Sequence, residues 1–201
     1  MADTRRTSEA RQIELTDAAL HIIATKGIAA LNTRVLAEQV GLTTGAIFRH
    51  FVSLEALLDA VVARVESVLM STYPSADLGP KERLLRFIEN RSATVANQLG
   101  ILRLVLSDQF QLALPQDGAS RLSVCVDKTR AFITECLRDG QAIGEFRTEL
   151  PPESLAPIVM GTIQMLALAP SKTRKRDADS RAVVKALLTL LENPSRQGRP
   201  K

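Results

Sequence analysis

The stretch LNTRVLAEQVGLTTGAIFRHFVSLEALLDAV, residues Leu31 to Val61, decides the fold because it holds two short helical segments separated by a tight turn. Asn32 and Thr33 are both suited to cap the first segment, TRVLAEQV, and Gly41 ends it. Thr43 is a second capping residue and opens the next segment. Two short helices joined by a turn of about three or four residues that contains glycine have the spacing of a helix-turn-helix unit.

Helices are also predicted on both sides of this stretch. Before it, apolar residues recur at the i, i+3, i+4, i+7 spacing from Leu15, and Gly27 suits the left-handed position after a helix end. After it, FVSLEALLDAVVARVESVLM predicts a long helix capped by Ser53. The turn-rich segment YPSADLGP then indicates a domain boundary. We expect an N-terminal domain at 9–72, a larger domain at 80–193, and flexible tails at 1–8 and 194–201.

The larger domain is also predicted to be helical, since its apolar periodicity stays near 3.6 and no convincing strand pattern appears. The predicted helices are Lys81 to Gln98, Ile101 to Leu112, Ala119 to Arg138, Pro152 to Ala169 and Asp179 to Leu191. The fold class is therefore all-α, with a helix-turn-helix domain followed by a helical bundle.

The composition narrows the possible classes of protein. With 45% hydrophobic and 24% charged residues, the chain has enough apolar surface to fold. The longest apolar run, 156–169, is broken by proline, glycine and polar residues, so we expect no membrane span. The N-terminus shows no signal-peptide core, and a cytoplasmic location is expected.

No metal site or cofactor is expected, because the two histidines are isolated from any Cys or carboxylate cluster. Cys125 and Cys136 lie eleven residues apart, about 16 Å along one helix, which excludes a disulfide within that helix. Buried structural thiols and a single redox-sensing thiol both remain open as interpretations.

The net charge of +4 points weakly to an anionic partner, and its distribution matters more. Residues 1–60 contain six Lys or Arg against seven Asp or Glu. The densest basic cluster is KTRKR, residues 172–176, which is interpreted either as a solvated loop or as a binding patch.

The segment TTGAIFRHF admits two interpretations. Ile47 and Phe51 are i, i+4 neighbours that can anchor the helix. The residues left toward another surface would be Thr44, Gly45, Ala46, Phe48 and Arg49. One interpretation is a recognition helix in the DNA major groove, with Arg49 as a donor to phosphate or guanine. The other is the third helix of a small bundle with both phenylalanines buried.

The whole stretch, with the preceding helix ELTDAALHIIATKGIAAL, resembles the DNA-binding domain of the TetR family of transcriptional regulators. The motifs LAEQVGL, G-x-[IL]-[FY]-x-HF and S-x-E-A-L occur in the family's order without gaps. The resemblance implies DNA contacts from nine residues: Thr33 and Arg34 at the second helix, Thr43 as the cap, Thr44, Gly45 and Ala46 at base edges, and Phe48, Arg49 and His50 along the backbone. For His50 it implies a phosphate or backbone hydrogen bond.

Two positions depart from the family pattern. Phe48 stands where the family has tyrosine, and Leu54 where it has lysine, so two phosphate contacts are lost. We therefore predict a shallow salt dependence of DNA binding. Arg5, Arg6 and Arg11 are candidates to compensate from an N-terminal arm.

The resemblance also implies a C-terminal domain that senses a small-molecule effector and forms a homodimer through the last two helices. The expected function is a repressor that binds double-stranded DNA at a palindromic operator and is released by the effector. Candidate pocket residues are Phe87, Arg91, Phe110, Phe132, Met160, Gln164 and Met165. A DNA-binding protein of this fold without an effector is an alternative. An enzyme is a weaker one, because no nucleophile elbow, phosphate loop or metal-ligand spacing is present.

Overall fold

The computed structural model describes residues 2–97, 114, 116–168 and 174–194, and within them the regular structure is helical. The α-helices are α1 (Ala2–Lys26), α2 (Thr33–Val40), α3 (Thr44–Ile47), α4 (Leu54–Met70), α5 (Pro80–Asn97), α6 (Gln116–Ala142), α7 (Pro152–Leu168) and α8 (Arg174–Leu191). A 3-10 turn, Ile28–Ala30, follows α1. The all-α prediction is confirmed.

Local capping sets the ends of the short helices. The Asn32 side chain accepts a hydrogen bond from the Val35 amide at 2.9 Å, and that of Thr43 accepts one from the Ala46 amide at 3.3 Å. Gly41 has φ 68° and ψ 32°, the left-handed conformation in which a Cβ is unfavourable. Of the two capping candidates for α2, Asn32 takes the role and Thr33 is the first helical residue.

The chain packs as two compact units. The N-terminal unit contains the described residues up to Val68 together with 114 and 116–125, and the C-terminal unit contains 69–97, 126–168 and 174–194. The sequence predicted one boundary, in the turn 73–80. In the structure, the start of α6 also packs with the N-terminal unit, so the chain passes between the two units more than once.

An arginine fixes the start of α6 within that N-terminal unit. Arg121 Nε lies 3.1 and 3.0 Å from the two carboxylate oxygens of Glu66, and its Nη1 lies 2.6 Å from Asp59 Oδ1. The hydrogen bond to Glu66 is the main reason that the pKa of Arg121 is raised. Because Arg121 and Glu66 are 55 positions apart, no local sequence pattern predicts their contact.

The core of the N-terminal unit is formed by α1, α2, α3 and α4. Its most deeply buried apolar side chains are Leu15, Ala19, Ile22, Leu36, Ile47, Leu57, Val61, Val62 and Val65, together with Leu122 from the start of α6. The Leu15 stripe predicted from sequence therefore faces the core. Full burial of each large aliphatic side chain contributes about 1.5–3 kcal/mol of stability. This burial holds the short helices α2 and α3 against the rest of the domain.

The C-terminal unit is built around residues of α5, α6, α7 and α8. Its core includes Leu84, Phe87, Ile88, Ile133, Cys136, Leu137, Phe146, Leu155, Val159, Ile163, Val184, Leu187 and Leu191. Cys125 of the N-terminal unit and Cys136 of this core are both buried, and burial raises the pKa of Cys136 to about 11. The structural interpretation of these thiols is the one that their burial favours.

Three helices are longer than predicted. Helix α8 begins at Arg174 rather than Asp179, so residues 174–176 of the basic cluster lie in it. Helix α1 begins at Ala2, so residues 2–8, expected as a flexible tail, form its first turns; no glycine or proline interrupts the chain before Gly27. Helix α6 runs to Ala142 rather than Arg138, and Gly140 inside it makes room for the ring of Phe146. The segments 101–112 and 195–201 lie outside the described residues.

Candidate nucleic-acid interface

Helix α3 is held on the N-terminal unit by two apolar anchors. Ile47 is 2% exposed and Phe51 is 7% exposed. The regular helix is short, and the chain continues from it in turns in which the His50 amide donates to the Ile47 carbonyl at 2.9 Å. The i, i+4 pair expected to anchor this segment therefore does so.

A hydrogen bond from α1 fixes the far end of the same segment. Gln12 Nε2 donates to the His50 carbonyl oxygen at 3.0 Å. The two residues are 38 positions apart, and sequence analysis did not identify Gln12. The His50 Nδ1 atom is buried and has no hydrogen-bond partner within the described residues.

The opposite side of α3 is open to solvent. Thr44, Gly45 and Arg49 are exposed, and Phe48 is 50% exposed. Ala46 is half-buried, and Thr43 is exposed with its hydroxyl engaged in the cap. The interpretation with both phenylalanines buried is therefore wrong for Phe48.

Helix α2 adds a second group of exposed polar residues. The Arg34 side chain is 84% exposed, and Thr33 beside it is half-buried. Arg34 Nε donates to Glu38 Oε1 at 3.1 Å, which leaves the two terminal nitrogens of the guanidinium outside this ion pair. Glu38 was not among the sequence candidates, although its i+4 spacing from Arg34 was a visible signal.

The other basic side chains of this unit are largely paired with acids. Arg11 Nη1 lies 2.7 Å from Glu14, and Arg64 Nε lies 3.1 Å from Asp17. Within the described residues, no ion pair involves Arg49. Arg49 is thus the cation of α3 most available to an external phosphate or base.

This domain matches a family model. Residues 15–61 match the model of the bacterial regulatory proteins of the tetR family. The N-terminal domain is thus of the tetR type. Its helix-turn-helix is therefore the DNA-binding domain of a transcriptional regulator.

Curated relatives and solved structures extend the comparison. The nucleoid occlusion factor SlmA of Vibrio vulnificus (strain YJ016) is 26% identical over 140 residues, which are 69% of this chain and 62% of that protein. The chain thus spans less than two thirds of the length of this relative.

Two solved structures share the fold over nearly the whole chain. The ketosteroid transcriptional regulator KstR2 of Mycobacterium tuberculosis has a TM-score of 0.79 at 19% identity, covering 90% of this chain and 95% of that one. AibR, solved in complex with isovaleryl coenzyme A and operator DNA, has a TM-score of 0.74 at 15% identity, covering 92% and 99%. At these identities the likeness establishes the tetR-type fold.

Three of the candidate effector residues, Phe87, Phe132 and Arg91, lie together in the C-terminal unit. Phe87 and Phe132 lie with Tyr73 in an aromatic group, with ring centroids 4.8–5.1 Å apart. The Arg91 guanidinium lies 4.9 Å from the Phe87 ring, and its Nη2 donates to Thr129 at 3.3 Å. Tyr73 was missed because the turn that carries it was interpreted as a linker.

The remaining candidates lie elsewhere. Met160 packs against the core of the C-terminal unit, and Gln164 is half-buried. Met165 is 68% exposed, so its side chain lies outside that core. Phe110 is not among the described residues.

The described part of the chain contains neither a membrane-spanning helix nor a cluster of metal-binding side chains. None of its helices has both the length and the apolarity needed to cross a membrane. Among the same residues, no group of three His, Cys, Asp or Glu side chains is placed to hold a metal ion.

Proposed function

We propose that this tetR-family protein is a homodimeric repressor that binds a palindromic DNA operator and is released by a small-molecule effector. The observation that carries the DNA-binding part is the division of α3 into two sides. Ile47 and Phe51 are buried in the domain, while Thr44, Gly45 and Arg49 are left exposed. A helix anchored on one side and polar on the other is suited to the major groove.

The proposed contacts with DNA are of two kinds: contacts to base edges, which recognise the sequence, and contacts to phosphates, which position the protein. Arg34, through its terminal nitrogens, is assigned to a guanine edge, which presents the two acceptors O6 and N7. Thr44, Gly45 and Ala46 lie at the start of α3, where small side chains allow close approach to base edges. Arg49 and His50 are assigned to phosphates, with Thr33 and Thr43 beside them.

A homodimer is supported by exposed apolar side chains on the last two helices. Ile158 and Met165 on α7 are 55% and 68% exposed, and Val183 and Leu190 on α8 are 45% and 65% exposed. Each pair is spaced by seven residues, so its members share one helix face. Two-fold pairing through these faces would present two recognition helices to half-sites about 34 Å apart.

From sequence, nine apolar residues of the last two helices are candidates either for the subunit's own core or for the dimer interface: Leu155, Ile158, Val159, Ile163, Leu166, Val184, Leu187, Leu188 and Leu191. Eight of them are buried in the C-terminal unit's own core: Leu155, Val159, Ile163, Leu166, Val184, Leu187, Leu188 and Leu191. Ile158 is the exception. The proposed interface therefore rests on Ile158 together with Met165, Val183 and Leu190.

For the effector, we assign the site to the aromatic group of Tyr73, Phe87 and Phe132 with Arg91. A ligand that binds one state of the regulator more tightly shifts its population away from the operator-bound state. Related folds include a ketosteroid regulator and a regulator bound to isovaleryl coenzyme A. Apolar and acyl-type molecules are therefore the first to test.

The DNA-binding proposal is tested by affinity selection from random duplexes with the full-length protein. A palindrome should be enriched. Arg34→Ala and Arg49→Ala should each weaken its binding, with about 1–3 kcal/mol lost for a bidentate base contact. Arg130→Ala, which removes a 58% exposed arginine side chain from the C-terminal unit, is the matched control. Failure to enrich a palindrome, or indifference to both substitutions, would reject the proposal.

The homodimer is tested by light scattering on Ile158→Lys and Leu190→Lys. Both variants should become monomeric and lose affinity for the operator, because a charge would be buried in an apolar interface. Ile143→Lys is the control, since Ile143 is 53% exposed but lies outside α7 and α8. Equal masses for all three variants would exclude this interface.

A DNA-binding factor without an effector is the second candidate, and the match to a nucleoid occlusion factor favours it. Thermal-shift screening separates the two. A metabolite that stabilises the protein and also weakens operator binding supports the effector-controlled repressor. Specific DNA binding that is insensitive to every stabilising metabolite supports the second candidate.

A further inference from the structure

Phe48 is an apolar side chain in an otherwise polar surface. It is 50% exposed, whereas Ile47 immediately before it is 2% exposed and Phe51 is 7% exposed. Its backbone lies in the right-handed helical region, at φ −67° and ψ −11°. The ring therefore extends the helical face of α3 instead of packing into the domain.

The helical spacing sets which side of α3 the ring occupies. Phe48 is four residues after Thr44, so the two lie one above the other on one face. Arg49 lies in the turn that follows α3, where its amide donates to the Ala46 carbonyl at 3.3 Å. If Thr44 reads a base edge, Phe48 faces the floor of the same groove.

The chemistry of the ring limits its partner. A phenyl ring has no hydrogen-bond donor, so it cannot bind phosphate as a tyrosine hydroxyl would. In the major groove the apolar feature is the C5-methyl group of thymine, which accepts contact from phenylalanine. We propose that Phe48 recognises a thymine in each half-site through this methyl group, an inference that rests on the DNA-binding function proposed above.

The test replaces single thymines of the selected operator by deoxyuracil, which removes the methyl group and leaves base pairing unchanged. Binding is measured by fluorescence anisotropy for the wild type and for Phe48→Ala. A replacement in one half-site should weaken wild-type binding about fourfold, the equivalent of one buried methyl group. Replacement in both half-sites should weaken it about 15-fold, since the two contacts are independent.

The effects of the uracil replacement and of the Phe48→Ala substitution on binding should also be coupled. Phe48→Ala should bind the thymine and uracil operators equally, because it lacks the ring that makes the contact. Phe48→Leu, which remains apolar, should retain part of the discrimination. Val124→Ala removes a 46% exposed side chain elsewhere in the same unit and should discriminate as the wild type does. Unchanged melting temperatures confirm that the variants are folded.

Several results would overturn the inference. Wild-type binding that ignores uracil at every position would exclude a methyl contact while leaving the DNA-binding function intact. A Phe48→Ala variant that weakens thymine and uracil operators by the same factor would assign the ring to the sugar backbone. If no palindrome is enriched, the proposed function itself fails and this inference fails with it.

Discussion

The substitution Gly140→Ala should destabilise the C-terminal unit. A Cβ at this position of α6 would lie 2.6 Å from Cε2 of Phe146 and closer still to its Cδ2. Ordinary carbon contacts are about 3.5–4.0 Å, and Phe146 is fully buried, so the ring has little freedom to move away. The chain just beyond the ring is also fixed, because the Arg147 amide donates to the Leu191 carbonyl at 2.9 Å.

The magnitude follows from two opposing terms. Alanine is favoured over glycine in a helix interior by about 1 kcal/mol. Overpacking a well-filled core costs about 1–3 kcal/mol, and the shortness of the contact places this site toward the upper end. We therefore expect a net loss of about 1–2 kcal/mol, or about 2–8 °C in melting temperature for a chain of this length.

The assay is urea and thermal unfolding followed by circular dichroism, with a double mutant as the internal test. Phe146→Leu shortens the opposing side chain, so Gly140→Ala should cost about 1–2 kcal/mol less in that background than in the wild type. Gly45→Ala is the control, since the added Cβ meets nothing within 4 Å. A stable Gly140→Ala protein, or strict additivity in the double mutant, would refute the argument.

Three further predictions concern charge and burial. Glu38→Gln should strengthen non-specific DNA binding, because it removes a negative charge beside Arg34 and both side chains are exposed. Arg121→Ala should cost about 1 kcal/mol of stability, since its contacts with Glu66 are partly screened by solvent. For Cys136, the folded-state pKa of about 11 lies above the usual 9.0. The stability it contributes is therefore full below about pH 9 and is lost as pH rises toward 11.

Each of these has its own measurement. A salt titration of binding to random duplex DNA checks Glu38→Gln, and unchanged or weaker affinity would contradict it. Urea unfolding checks Arg121→Ala against Arg130→Ala, whose removal should be neutral because it breaks only a 3.8 Å exposed contact. For the thiol, the free energy of unfolding of the wild type should fall more between pH 9 and 11 than that of Cys136→Ala. Parallel curves would argue against it.

The helix-turn-helix could be predicted from sequence because its determinants are local. The caps Asn32 and Thr43 and the left-handed Gly41 each act within four residues of their position. The anchoring of Ile47 and Phe51 followed from the i, i+4 spacing alone. The exposed positions of this segment, Thr44, Gly45, Phe48 and Arg49, were then the remaining ones.

Features that depend on distant contacts were not predictable. The prediction ended this helix at Arg138, yet Gly140 lies inside α6, where the absence of a Cβ leaves room for the ring of Phe146. The bond from Gln12 to His50 spans 38 residues and has no local signature. Apolar periodicity also made Ile158 and Val159 equal candidates for the core or the interface, although Ile158 is exposed and Val159 is fully buried.

The attachment of α3 has a consequence for how operator preference can change. Its placement depends on Ile47, Phe51 and the Gln12 bond, none of which needs the side chains at 44, 45, 48 and 49. Substitutions at those four positions should therefore leave folding almost unaffected while altering the DNA that is bound. In the proposed function, the residues that hold this segment in place are different from the residues that contact DNA. A change of operator preference therefore needs only a few substitutions at exposed positions, with the fold unchanged.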